Sequence, residues 1–179
     1  LKAPAEEPAL VEPQTRGYML NLVRSLSPTS LELEIRRMAG AGFNLIVFPI
    51  YNNGWTLFPS KAARSHGLRA INPLFHKWDP LGETVRVVRQ EGAGIWAFAR
   101  LFNFHPRFSI AEHKLLHKYP AWRLRAHPAY QSAQTRHYEF WHPCPTNPDY
   151  RRFCADLLAE AAGAYPIDGV VLNYTSYGL

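Results

Sequence analysis

Four strand-like segments alternate with three helical ones along this sequence; the links from helix to strand are short and those from strand to helix are long. These observations predict an α/β fold, a TIM-type (β/α) barrel of which the chain contains the first four βα-type steps. Alternation calls for a parallel sheet with helices outside it. An open doubly wound sheet shares that pattern, but no Gly-x-Gly-x-x-Gly follows any strand, which weakens a dinucleotide-binding reading. The short links run Gly40 to Phe43, Gly92 to Gly94 and Gly163 to Asp168, and the long ones Tyr51 to Trp78 and Asn103 to Thr146. Long connections gathered on one face mark the C-terminal ends of barrel strands, where such folds place their active sites.

The first strand is read from Arg16 to Val23 (RGYMLNLV). Ser27-Pro28-Thr29 then announces a helix, with proline tolerated in the first turn and Thr29 and Glu32 at capping-box spacing. Leu31, Ile35 and Met38 form its apolar stripe, and Gly40 and Gly42 end it. Asn44 to Ile50 (NLIVFPI) is nearly all apolar, as a strand buried on both faces must be. Asp79-Pro80 starts the second helix, striped by Leu81, Val85 and Val88 and stopped at Gly92. Ile95 to Phe102 is the third strand. Asn147-Pro148 repeats the cap-plus-proline signal, followed by Phe153, Leu157 and Ala161 on one face, and Val170 to Leu172 begins the fourth strand.

With 179 residues, 47% of them hydrophobic, the chain has material for one domain with a sizeable core. Aromatics at 13% favour a large core or a surface that stacks flat ligands. The net charge of +6 attracts polyanions, but the basic pairs Arg36-Arg37, Arg123/Arg125 and Arg151-Arg152 are scattered. That spacing favours a solvated basic surface over a nucleic-acid face. No apolar run is long enough to span a membrane, and no signal-peptide pattern is present. Residues 1–15 are Pro/Glu/Ala-rich and read as a tether left after processing, which sets an extracytoplasmic expectation; residues 16–179 are the half-barrel. Cys144 and Cys154 could form one disulfide, but they stand in a loop and on a predicted helix, which favours two unpaired thiols.

Seven short motifs, in order, carry a resemblance. They are Arg16-Gly17, Gly42-Phe43-Asn44, Gly54 with Leu57-Phe58-Pro59-Ser60, Trp78-Asp79-Pro80-Leu81, Tyr119-Pro120-Ala121-Trp122, Pro145-Thr146-Asn147-Pro148 with Arg152, and Asp168-Gly169-Val170-Val171-Leu172. Together they resemble the glycosyl-hydrolase-like-10 family of bacterial TIM-barrel proteins that act on cell-wall or related polysaccharides. The resemblance implies a hydrolase of O-glycosidic bonds. It also implies an acid and an arginine after strand four, where this chain has Asn173 and Ser176. The family's His-Ala-Trp on strand three is Phe98-Ala99-Arg100 here, and its Val-Arg after strand two is Ile50-Tyr51.

Most glycosidases flank the scissile bond with two carboxyl groups. No acid stands at the C-terminal end of a predicted strand. Asp168 opens strand four at the other end and reads as structural, and Asp79 reads as a helix cap. Glu112 and Glu139 lie in the long third loop, and Glu139 is the candidate acid there. Asn173 occupies the position of the family acid; its amide can hydrogen-bond a sugar but cannot ionise. The protein is then a non-catalytic relative, or its acids lie beyond Leu179, or a substrate acetamido group does the chemistry. Strand-end and loop residues expected to hold sugar are Arg16, Asn44, Tyr51, Asn53, Trp55, Asn103, Trp122, Trp141 and Tyr174. The aromatic members either stack on pyranose rings or pack the loops. His113 and His117 have i, i+4 spacing but no third ligand, so no metal is expected, nor any cofactor. The expected function is action on a cell-wall amino-sugar polysaccharide, with a non-catalytic carbohydrate-binding protein as the alternative. Expected partners are a glycan, no nucleic acid, and further chain or a second copy to close the barrel.

Overall fold

The computed structural model describes residues 14–22, 27–52, 54–102, 114–124 and 143–173. The elements are β1 (Gly17–Met19), α1 (Pro28–Gly40), β2 (Leu45–Asn52), β3 (Trp55–Thr56), α2 (Lys61–Ser65), α3 (Pro80–Gln90), β4 (Gly94–Arg100), α4 (Lys114–Lys118), α5 (Pro148–Ala164) and β5 (Gly169–Asn173). Single 3-10 turns occur at Pro73–Phe75 and Pro120–Trp122. The sheet runs β1-β2-β4-β5 with all three pairings parallel. This is an arc of a (β/α) barrel. The two-residue β3 pairs antiparallel with the end of β2, above the short β1.

Each long helix begins on a side chain that accepts from an otherwise orphaned N–H. Asp79 caps α3 through Leu81 and Gly82, and Asn147 caps α5 through Tyr150. At α1 the cap is Ser27, paired reciprocally with Ser30, and not Thr29 with Glu32. Glu32 instead forms ion pairs with Arg36 and Arg86, joining α1 to α3.

The main core lies between the helices and one face of the sheet. Leu31 and Ile35 of α1, Leu81 and Val88 of α3, and Phe153, Leu157 and Ala161 of α5 pack against Ile46 and Phe48 of β2 and Ile95, Ala97 and Ala99 of β4. Side chains alternate along a strand, so Val47, Trp96 and Phe98 belong to the opposite face, the concave side of the arc. That side is partly open: Met19 is 51% exposed and Trp96 is 40% exposed. On the helix side of the edge strand β5, Val170 and Leu172 are exposed as well, since no described helix covers them.

The links from helix to strand are tied down by polar side chains. Asp168 accepts from the N–H of Ile95 and from Arg89, which hold its carboxyl below the ordinary carboxylate range, the guanidinium contributing most. Asn44 accepts from the N–H of Arg16 and donates to the carbonyl of Gln14.

The long β2–α3 connection folds down the outer flank of α5. Glu160 of α5 accepts from the Ser60 hydroxyl and from the N–H groups of Lys61 and Ala62, while Phe58 meets Tyr165 edge-on. Both cysteines are free thiols, Cys154 buried and Cys144 partly so.

Candidate functional site

The residues that end the strands define the site. Arg100 ends β4 and is the register partner of Asn173, which ends β5. In β2 the register shifts between Pro49 and Tyr51, so that Tyr51, not Ile50, pairs with Ala99. One extra residue on a strand turns everything beyond it to the other face. Tyr51 consequently faces the helices, where its ring meets Phe153 edge-on, and Asn52 comes level with Arg100 on the concave face. Asn52 is in turn paired with Trp55 of β3, and side chains directly opposite in such a pair share a face. Trp55, Asn52, Arg100 and Asn173 therefore form one row across four strands. With neighbouring strands about 4.8 Å apart, the row spans about 15 Å.

The row lies at the C-terminal end of the sheet. Beneath it, on the same face, come Pro49, Phe98 and Val171, then Val47, Trp96 and Gly169. The indole of Trp96 lies so close over Gly169 that a Cβ there would sit 2.9 Å from Nε1. The floor is apolar and the upper rim polar. Asn52 carries a buried Oδ1 with no hydrogen-bond partner among the described residues. An oriented amide of that kind is what a polar ligand atom satisfies. Chemically the row offers an aromatic face, two amides and one guanidinium. It has no carboxylate and no metal-ligating cluster among the described residues.

Two of the expected sugar-holding residues, Trp55 and Asn173, are thus brought together. Others are placed elsewhere. Arg16 and Asn44 precede β1 and β2, at the opposite end of the sheet, where their hydrogen bonds fasten the chain ahead of β1 to that ahead of β2. Tyr51 is 1% exposed, and its hydroxyl lies beside Tyr150 and Cys154 without a well-aligned hydrogen bond; burial pushes its phenol pKa up. Trp122 is a packing residue, stacked on Tyr119 at 4.2 Å and surrounded by His66, Tyr150 and Phe153. Asn53, Asn103, Glu139, Trp141 and Tyr174 lie outside the described residues, as does Glu112. Sequence reasoning overlooked Arg100 as a ligand-facing group, and placed Asn52 only among loop residues. The signal for Arg100 was that it is the one charged residue in the apolar run Ile95 to Phe102; the signal for Asn52 is the register shift, which periodicity does not reveal.

A second concavity adjoins the Trp55 end of the row, between the β2–α3 connection and helices α4 and α5. It encloses about 280 Å³ and is lined in part by Tyr51, Trp55, Leu68, Arg69, Leu115 and Phe153.

The fold recurs among solved structures. A hypothetical protein from Ruminiclostridium thermocellum superposes with a TM-score of 0.67 at 13% identity, over 92% of this chain and 78% of that one. A noncanonic maltogenic α-amylase from Thermotoga neapolitana gives 0.59 at 13% identity, over 92% of this chain and 40% of the amylase. A GH20 exo-β-N-acetylglucosaminidase from Vibrio harveyi, in complex with N-acetylglucosamine, gives 0.57 at 18% identity, over 87% and 26%. The chain thus spans well under half the length of these last two. No curated protein matches it by sequence. The model of the family Glycosyl hydrolase-like 10 matches residues 19–178, nearly the whole chain, and the chain belongs to that family.

Proposed function

We propose that the chain recognises a polysaccharide containing N-acetylated amino sugars, such as a cell-wall glycan, along the row Trp55, Asn52, Arg100 and Asn173. The observation that carries the reading is the row itself: amides and a guanidinium level with one another at the strand ends, flanked by an indole and resting on an apolar floor. Amides pair with hydroxyl and acetamido groups, and indole faces accept pyranose rings. The neighbour crystallised with N-acetylglucosamine adds support from the same fold. Such a substrate carries an extracytoplasmic location with it, in the periplasm, the cell envelope or the medium. The test is calorimetric titration with N-acetylglucosamine oligomers and with solubilised cell-wall glycan. Asn173→Ala and Asn52→Ala are each expected to weaken binding about tenfold, the loss of one buried hydrogen bond. Unchanged affinity in both variants overturns the reading.

Hydrolysis of the bound glycan is the second reading, favoured by the family and by its glycosidase neighbours. It needs two carboxyl groups that the described row does not contain. Glu112 and Glu139, in the connection after β4, are the acids within the chain that such a mechanism would draw on. New reducing ends from the wild type, lost in Glu139→Gln or Glu112→Gln, would establish it. Saturable binding with no new reducing ends would leave recognition alone.

A further inference from the structure

The concavity beside α5 points to a second ligand, distinct from the glycan of the strand-end row. It is walled by the β2–α3 connection on one side and by α4 and α5 on the other. Leu68, Pro73 and Trp55 give it apolar walls above the buried Leu115 and Phe153, and its 280 Å³ suits a single ring with a short side chain. The polar groups at its mouth are of one sign. Arg69 lines it, is exposed, and makes no ion pair or hydrogen bond among the described residues. Lys118 lies on the same rim: a Cβ on the lining residue Gly67 would meet Lys118 Nζ at 2.0 Å. That ammonium donates to the carbonyl of His66, which fixes its place without neutralising it. No Asp or Glu is among the lining residues. An apolar cavity with two cations and no acid at its mouth is complementary to a small apolar anion.

The geometry points to a binding site for a small aromatic carboxylate, the ring against Leu68, Pro73 and Trp55 and the carboxylate on Arg69. A guanidinium is the side chain best shaped to take a carboxylate by two parallel N–H groups. The site shares Trp55 with the row but needs nothing from Asn52, Arg100 or Asn173, and its carboxylate preference does not rest on the glycan reading.

The experiment titrates the whole chain with phenylacetate and with its neutral counterpart phenylacetamide, followed by calorimetry and by ligand-observed NMR. Phenylacetate is expected to saturate below about 10 mM and to bind at least about threefold more tightly than the amide. Arg69→Gln, at an exposed position, is expected to leave the melting temperature unchanged and to remove the preference for the acid. Leu68→Trp, which fills the cavity, is expected to weaken both ligands. Asn173→Ala is expected to weaken neither, which separates this site from the row. Equal affinity for acid and amide, a preference that survives Arg69→Gln, or no saturation by phenylacetate overturns the proposal.

Discussion

The carboxylate of Glu160 and the hydroxyl of Ser60, separated by 100 positions in the sequence, meet at 2.6 Å. The same carboxylate accepts from the N–H groups of Lys61 and Ala62, so one acid near the end of α5 holds the first turn of α2. Burial alone would raise its pKa, yet these three hydrogen bonds bring it below the ordinary value of 4.5. A lowered pKa in the folded state stabilises the protein above 4.5, and that contribution fades as pH falls through the lower folded value. Glu160→Gln is expected to cost about 1 kcal/mol at neutral pH and to flatten the acid limb of the stability curve below pH 4.5. Urea unfolding midpoints from pH 7 to pH 3 check this; an unaltered acid limb would show that other carboxylates dominate it.

Trp122 closes the aromatic cluster that fixes α4 and the 3-10 turn to α5. It is 4% exposed, stacked on Tyr119, and in contact with Tyr150 and Phe153. Trp122→Ala is expected to destabilise the fold by about 3–5 kcal/mol, the cost of emptying a large buried site. Trp122→Phe should recover much of that. Differential scanning calorimetry of the two variants makes the comparison.

The two thiols differ in reactivity. Burial pushes Cys154 up to about 12. Burial also opposes ionisation of Cys144, but the Thr146 hydroxyl, 3.0 Å away, and the N–H groups of Thr146 and Asn147 outweigh it and lower its pKa. A chromogenic disulfide reagent is expected to titrate one thiol in the native protein and both after unfolding. Cys144→Ser should abolish the native reaction, and fast reaction at Cys154 would show that α5 opens readily.

Asn173→Asp puts a carboxylate where the family resemblance expects one. Its register partner is Arg100, and a neighbouring guanidinium keeps a carboxyl ionised. A single ionised carboxylate supplies neither a proton donor nor a complete pair. The variant is therefore expected to bind glycan without releasing reducing ends. Turnover in this variant alone would reveal a second carboxyl already poised over the row.

Much of the frame was legible before the structure. Buried runs such as Leu45 to Ile50, and the proline-marked caps at Asp79 and Asn147, are local signals that packing reinforces. The short β3 and α2 were not, because segments of two and five residues have too few positions to show a period. For the site, Asn173 and Trp55 were legible from their places after strands. Arg16 and Asn44 were named for being next to strands, yet they lie at the ends that hold the fold together. Trp122 was named for its ring, whose partners come from α4 and α5 and are set by tertiary packing alone.

The register shift at Ile50 has a consequence for how this surface can diverge. Because one additional residue decides that Asn52 and not Tyr51 looks into the concave side, the bulge near the strand end acts as a parity bit. Deleting Ile50 would leave Tyr51 opposite Ala99 and Asn52 on the concave side; straightening the strand with Ile50 kept, so that Ile50 pairs with Ala99, would offer a phenol to the ligand and send an amide into the greasy layer beneath α5. The ligand-contacting chemistry here is therefore set by whether the strand absorbs its extra residue as a bulge, with every amino acid left as it was.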